Sequence, residues 1–228
     1  MLTVIPVFFM LGLTFALSGY FIQLKSRVRK TCIEESIEIQ KNIIKSEQRL
    51  FKMNPLSTTL RIELLAAQAD LALQTYMENP VGIAHANYLI NSIKSQQESL
   101  DLLQKGIIKA AEVYSQIQTQ LMLSNLYKHV NEMGLIWKFY LFVTNSIHLS
   151  QAPEFAVRPD IEETAPNYEL KDDYKSRQQL VLFWHHHYQT SASAEHFIKT
   201  ETNYEFSCGS GPNYKGGKWS IEIKGDKF

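Results

Sequence analysis

From Leu2 to Leu24 the chain carries no charged residue, and a basic cluster of Lys25, Arg27, Arg29 and Lys30 follows at once. At ~1.5 Å of rise per residue a helix of that length crosses a hydrocarbon core of ~30 Å with some tilt. The sequence therefore predicts an anchor at 1–24, with the basic cluster as a collar at the lipid headgroups. A secretory signal peptide is the rival reading. Its apolar region is shorter, follows basic residues and ends at an A-x-A-like site, and none of these marks the run here. Pro6 sits in the first turns, where a missing amide donor costs little. Gly12, Ser18 and Gly19 are small enough to let a second span approach, without GxxxG spacing.

Charge excludes one class of partner. Twenty-three basic residues balance twenty-three acidic ones, and beyond the collar no basic stripe interleaves with aromatics, so nucleic acid is not an expected partner. The two cysteines, Cys32 beside the collar and Cys208 near the C-terminus, permit one disulfide in an oxidising compartment or two isolated thiols in a reducing one.

An α+β fold is expected: an anchor helix continuing into a helical stalk and hairpin or bundle over 25–147, then a β-rich domain over 148–228. Ile37, Ile44 and Phe51 recur at sevens, widened by Ile33, Ile43 and Leu50. Asn54-Pro55 and Asn79-Pro80 each read as an N-cap followed by proline in the first turn. The helix between them presents Leu60, Leu64, Ala67 and Leu71. The helix after Pro80 places Ile93, Leu100, Ile107, Tyr114 and Leu121 at strict sevens, a seam that asks for helical partners. Its polar row, Gln97, Gln104, Ala111 and Gln118, suits either a partly wet seam or a face in water. Trp137–Val143 reads as strand or as the end of that helix. Glu154–Asp173, acidic and broken by prolines, reads as an extended crossing. Gln179–Trp184, Tyr204–Cys208 and Trp219–Ile223 read as strands of a small antiparallel sheet, with Gly209–Gly217 as a hairpin turn.

Chemistry is sparse. On a strand His185 and His187 share a face and His186 takes the other, so zinc would need a further ligand from His196 or Cys208. A solvated or aromatic-packed strand end is the plainer reading, and no metal or cofactor is expected. Glu34-Glu35, Glu162-Glu163 and Asp172-Asp173 are sequence neighbours that do not share an acid–base site. With no HExxH, CxxC or P-loop spacing and no nucleophile–base pattern, the chain does not read as an enzyme.

Ile5-Pro6-Val7-Phe8-Phe9-Met10-Leu11-Gly12, followed by Phe15-Ala16-Leu17-Ser18-Gly19-Tyr20, resembles the N-terminal helix of the TadE/TadF-like pseudopilins of tight-adherence pili. The resemblance covers roughly the first thirty residues. It implies a stalk helix with a smaller sheet, a leader cut by a prepilin peptidase, and a body outside the cytoplasm. With Pro6 matched to the family proline, the family's Glu falls at or before Met1, which leaves either an upstream start or a plain signal anchor. The positive-inside rule taken alone turns the body inward, whereas a basic leader or a Cys32–Cys208 bridge turns it outward. The expectation is a non-enzymatic subunit of a bacterial pilus or related envelope machine. It would be single-pass in the inner membrane with an extracytoplasmic body, bound to lipid and to other envelope subunits. A membrane-anchored sensor or ligand-binding module is the alternative.

Overall fold

The computed structural model describes residues 4–132, 141–162, 164–190 and 201–225. Within its helices and strands the side chains at 4, 6–7, 10, 13–14, 17–18, 21, 130–132, 141–145, 150–151, 186–190, 201–204 and 206 are not described. Three long helices open the chain: α1 (Val4–Phe51), α2 (Asn54–Tyr76) and α3 (Pro80–Glu132). Then come β1 (Leu141–Gln151), β2 (Val157–Pro159), β3 (Tyr168–Leu170), the single-turn α4 (Tyr174–Arg177), β4 (Leu180–Thr190), β5 (Glu201–Lys215) and β6 (Lys218–Gly225). Helix and antiparallel sheet are both present, as the sequence predicts. Residues 4–24 are the first turns of α1, so the N-terminal run continues into the stalk as one helix, as expected. His196 and most of Trp137–Val143 lie outside the described residues, and β1 already begins at Leu141.

The chain forms two compact units, each discontinuous in sequence. One comprises Met1–Gln40, Gln116–Pro153 and Gln179–Phe228, the other Lys41–Ser115 and Glu154–Gln178. In the first, β1-β4-β5-β6 form a four-stranded antiparallel sheet. Period-two alternation on β4 puts Leu180, Leu182 and Trp184 in the core, with Ile147 of β1 opposite Trp184 and Cys208 of β5 opposite Leu182. Val28, Cys32 and Ile39 of α1 and Met122 and Leu126 of α3 are buried in the same unit. The Tyr127 hydroxyl donates to the Ile147 carbonyl at 3.2 Å, and Asn125 Nδ2 donates to Glu35 Oε1 at 2.9 Å.

The glycine-rich stretch corrects its reading as one turn. Gly209–Lys215 belongs to β5, and only Gly216 and Gly217, with φ of 55° and 79°, make the two-residue hairpin turn into β6. Pro212 is tolerated because β4 has ended: the β4 pairing stops at Leu180 opposite Ser210, and Pro212 pairs only with Ile221 of β6. Gly209 is required, since a Cβ there would lie 1.9 Å from the Leu180 carbonyl oxygen.

In the second unit α2 and α3 pair through Leu60, Ala67, Ile90, Ile93 and Leu100, with Leu64, Leu71 and Leu89 packed against them. The segment Glu154–Gln178 is not a bare crossing. It holds the β2–β3 ribbon and α4, and it docks on the helices through backbone acceptors. Asn54 Nδ2 donates to the Tyr168 carbonyl at 2.8 Å while its Oδ1 accepts the Tyr168 amide at 2.9 Å. Ser57 Oγ donates to the Ala165 carbonyl, and Gln104 Nε2 to that of Pro166 at 3.0 Å. Arg61 grips both oxygens of Asp160 at 3.1 and 3.2 Å, which holds that carboxyl below the usual carboxylate range.

Asn54 therefore does not cap α2. The cap position is Met53, with no side-chain cap bond. Asn79 does cap α3, accepting the Gly82 amide at 3.2 Å. The seams also depart from strict sevens. Ile93 and Leu100 are buried, whereas Leu103, Tyr114, Ile117 and Leu121 are exposed, and Gln97, Gln104 and Ala111 of the polar row are buried instead.

Candidate functional site

Along the first turns of α1 the described apolar side chains face outward. Ile5, Phe8, Phe9, Leu11, Phe15 and Ile22 are between 50% and 77% exposed. At about 100° per residue they and Gly12, Ala16, Gly19 and Tyr20 cover roughly half of the helix circumference without one charge. Exposing so large an apolar arc to water is unfavourable at ~25 cal/mol per Å². Among the described residues, no helix is long and apolar enough to cross a membrane.

The collar follows within the same helix. Arg27 and Lys30 are exposed and Lys25 and Arg29 half-buried, and Lys30 Nζ reaches Glu34 Oε1 at 3.9 Å. Two residues after Lys30 comes the covalent link: Cys32 of α1 and Cys208 of β5 form a disulfide with a Cα–Cα distance of 6.3 Å, both residues fully buried. The structure thus brings Cys32 and Cys208 together and sets the apolar arc, the collar and the bridge in sequence on one continuous helix.

Among the described residues the histidines are not gathered into a metal centre. His185 Nδ1 lies 2.9 Å from Glu205 Oε1, and its ring meets His148 edge-on at a centroid distance of 5.7 Å on the exposed side of the sheet. His187 is placed by register opposite Thr144 and Asn203, its side chain outside the description, and Cys208 is taken by the disulfide. Among the described residues no group of three His, Cys, Asp or Glu is arranged to hold a metal ion. The neighbouring carboxylates serve as ion-pair and hydrogen-bond partners: Asp172 of Arg158 at 3.6 Å, Asp173 of Arg177 at 2.5 Å, which lowers the Asp173 pKa.

Two features went unread in the sequence. Glu47 of α1 is fully buried, and burial pushes its carboxyl up to about 8 against the lowering effect of a hydrogen bond donated by Gln178 Nε2. Nothing local flags it, because its place in an apolar environment is set by a residue more than a hundred positions away. The second is a row on α2, Ile62, Leu65, Ala66, Ala69, Ala72, Leu73 and Tyr76, all exposed. Its helical spacing was there to be read, but the opposite row of Leu60, Leu64, Ala67 and Leu71 already supplied a core face. On either side of α2 lies a cleft, one of about 730 Å³ reached by Arg61, Lys94, Glu98 and Glu162, the other of about 460 Å³ floored by Ala66, Ala67 and Leu89.

Comparison with protein-family models, curated proteins and solved structures finds no match for the chain.

Proposed function

We propose that this chain is a non-enzymatic, membrane-anchored structural or assembly subunit of a bacterial pilus or related envelope machine, its first turns of α1 in lipid and its body outside the cytoplasm. The observation that carries the reading is the exposed, uncharged arc of Ile5–Ile22 ending at the Lys25–Lys30 collar. Lipid covers such an arc at no electrostatic cost, and the collar meets the headgroups. The Cys32–Cys208 bridge supports the oxidising side of the membrane. It also joins the helix that carries the arc to the sheet, so that a load on the span is passed to the folded body through a covalent bond. The pseudopilin-like pattern of Ile5–Tyr20 supports the pilus assignment in particular.

The test is fractionation of cells making the full chain. Protein that stays in membranes through alkaline carbonate, and a Phe9→Lys/Phe15→Lys variant that is released, are the expected results. Blocked Cys32 and Cys208 before reduction, and lost or altered surface filaments on deletion, complete the case. Carbonate-extractable parent protein overturns the anchor. Membrane-retained protein with free thiols and unchanged filaments leaves the anchor and removes the pilus role.

A further inference from the structure

Helix α2 is apolar on two opposite faces. Leu60, Leu64, Ala67 and Leu71 belong to the core shared with α3. About 170° around the helix, Ile62, Leu65, Ala66, Ala69, Ala72, Leu73 and Tyr76 form a second stripe confined to roughly 120° of arc. Ile62, Leu65, Leu73 and Tyr76 are 62%, 64%, 54% and 88% exposed. A helix that is apolar all round is one that is covered all round, and among the described residues nothing covers this side.

The order of the stripe identifies its occupant. Read in either direction the spacing is 3, 1, 3, 3, 1, 3, and the sizes mirror about Ala69, with large side chains outside and alanines within. We infer that the outward face of α2 is a self-association surface, on which α2 of a second copy lies antiparallel about a two-fold axis at Ala69. In that arrangement Ile62 packs on Tyr76 of the second copy, Leu65 on Leu73, Ala66 on Ala72 and Ala69 on itself, each contact occurring twice except the last. A two-fold interface requires such self-complementarity. The central alanines let the axes approach to the short end of the ~8–10 Å range, while the ends fill the remaining space.

Area and charge agree with this occupant. The exposed parts of the four large side chains and three alanines amount to about 600 Å² per copy, ~1,200 Å² for the pair, the lower bound of a specific interface. No charge lies in the stripe, so pairing buries none. Glu63 and Asp70 flank it on one side, and Arg61 on the other is already held by Asp160. An amphipathic helix made for a bilayer surface carries free Lys and Arg at its flanks instead.

Single cysteines introduced into the full chain, in detergent micelles and in phosphatidylcholine vesicles, test the inference under oxidation. Cys32 and Cys208 are bridged and buried and do not compete. Antiparallel pairing about Ala69 separates the two copies of residue 66 by about 9 Å along the axis. Ala69→Cys is therefore expected to form a covalent dimer at least ten-fold faster than Ala66→Cys or Ala72→Cys alone. An equimolar mixture of Ala66→Cys and Ala72→Cys is expected to restore cross-linking. Because these sites are exposed, the variants should melt with the parent, and that control is run on each. Equal self-cross-linking at positions 62, 69 and 76 would mean a parallel pair and overturn the inference. So would a monomeric mass by light scattering in both media with no cross-link at any site, or a dye on Ala69→Cys that reports burial only when a monomer meets vesicles.

Discussion

Glu47 shows how a single ionisable side chain is set by its surroundings. Its carboxyl is fully buried, accepts a hydrogen bond from Gln178, and leaves Oε2 without a protein partner. A neutral acid tolerates that environment and a carboxylate does not, hence a folded pKa of about 8, well above the ordinary 4.5 of a solvated glutamate. The folded state therefore binds the proton more tightly than the unfolded one. Its contribution to stability is fully present below pH ~4.5, declines as pH rises, and is lost by pH ~8. Denaturant unfolding from pH 6 to 9 is expected to show stability falling with pH in the parent. Glu47→Gln, which keeps the acceptor oxygen, should flatten that slope and stand on the order of 2 kcal/mol above the parent at pH 9. A parent slope that survives the substitution assigns the titration to another group. The two Asn-Pro pairs make the complementary point. Asn79 behaves as an isolated dipeptide predicts, capping its helix, whereas Asn54 offers its amide to both backbone groups of Tyr168 in place of a strand neighbour.

At the scale of the element, helix geometry overrides an apparent heptad. In a straight helix a seven-residue row drifts about 20° per repeat, so that Ile93 and Leu121 point some 80° apart. The buried residues follow elevens instead: Ile93, Gln104, Ser115 and Leu126, then Leu100, Ala111 and Met122 on α3, with Val28, Ile39 and Leu50 on α1. Eleven residues overshoot three turns by about 20°, so such a row drifts less per residue than a heptad row and in the opposite sense. This is why the glutamine row entered the core and half of the leucine row left it. Leu100→Ala is expected to cost about 2–4 kcal/mol in denaturant unfolding, and Leu103→Ala under ~1 kcal/mol. Equal losses at the two positions would restore the heptad seam. A buried polar row is tolerable where it finds backbone acceptors, as Gln104 does at Pro166.

At the scale of the whole molecule, the chain weaves between its units, α1 and α3 each contributing residues to both. The bridge between Cys32 and Cys208 spans a sequence separation of 176 in a chain of 228 residues, so it closes about three quarters of the chain into a loop. Chain entropy then gives it about 4–5 kcal/mol, since the unfolded ensemble loses the freedom of a long loop. Cys32→Ser/Cys208→Ser, or reduction of the parent, is expected to lower the stability of the sheet-bearing unit by that order. The readout is tryptophan fluorescence during urea unfolding, to which the buried Trp184 of the sheet contributes. Coincident curves with and without reductant would show that the bridge contributes nothing.

By itself the sequence determined what depends on near neighbours and on composition. It fixed three long helices broken at Asn-Pro, strands at Leu180, Tyr204 and Trp219, and an uncharged N-terminal run with its collar, because periodicity, proline geometry and missing charge are local properties. Tertiary structure alone decided what depends on residues far apart in the chain. It joined Cys32 to Cys208, buried Glu47 under Gln178, took Asn54 from its cap to Tyr168, let Pro212 into a strand where β4 ends, and left one apolar face of α2 uncovered. Each of these turns on which side of an element meets another, and a spacing along one chain does not specify that.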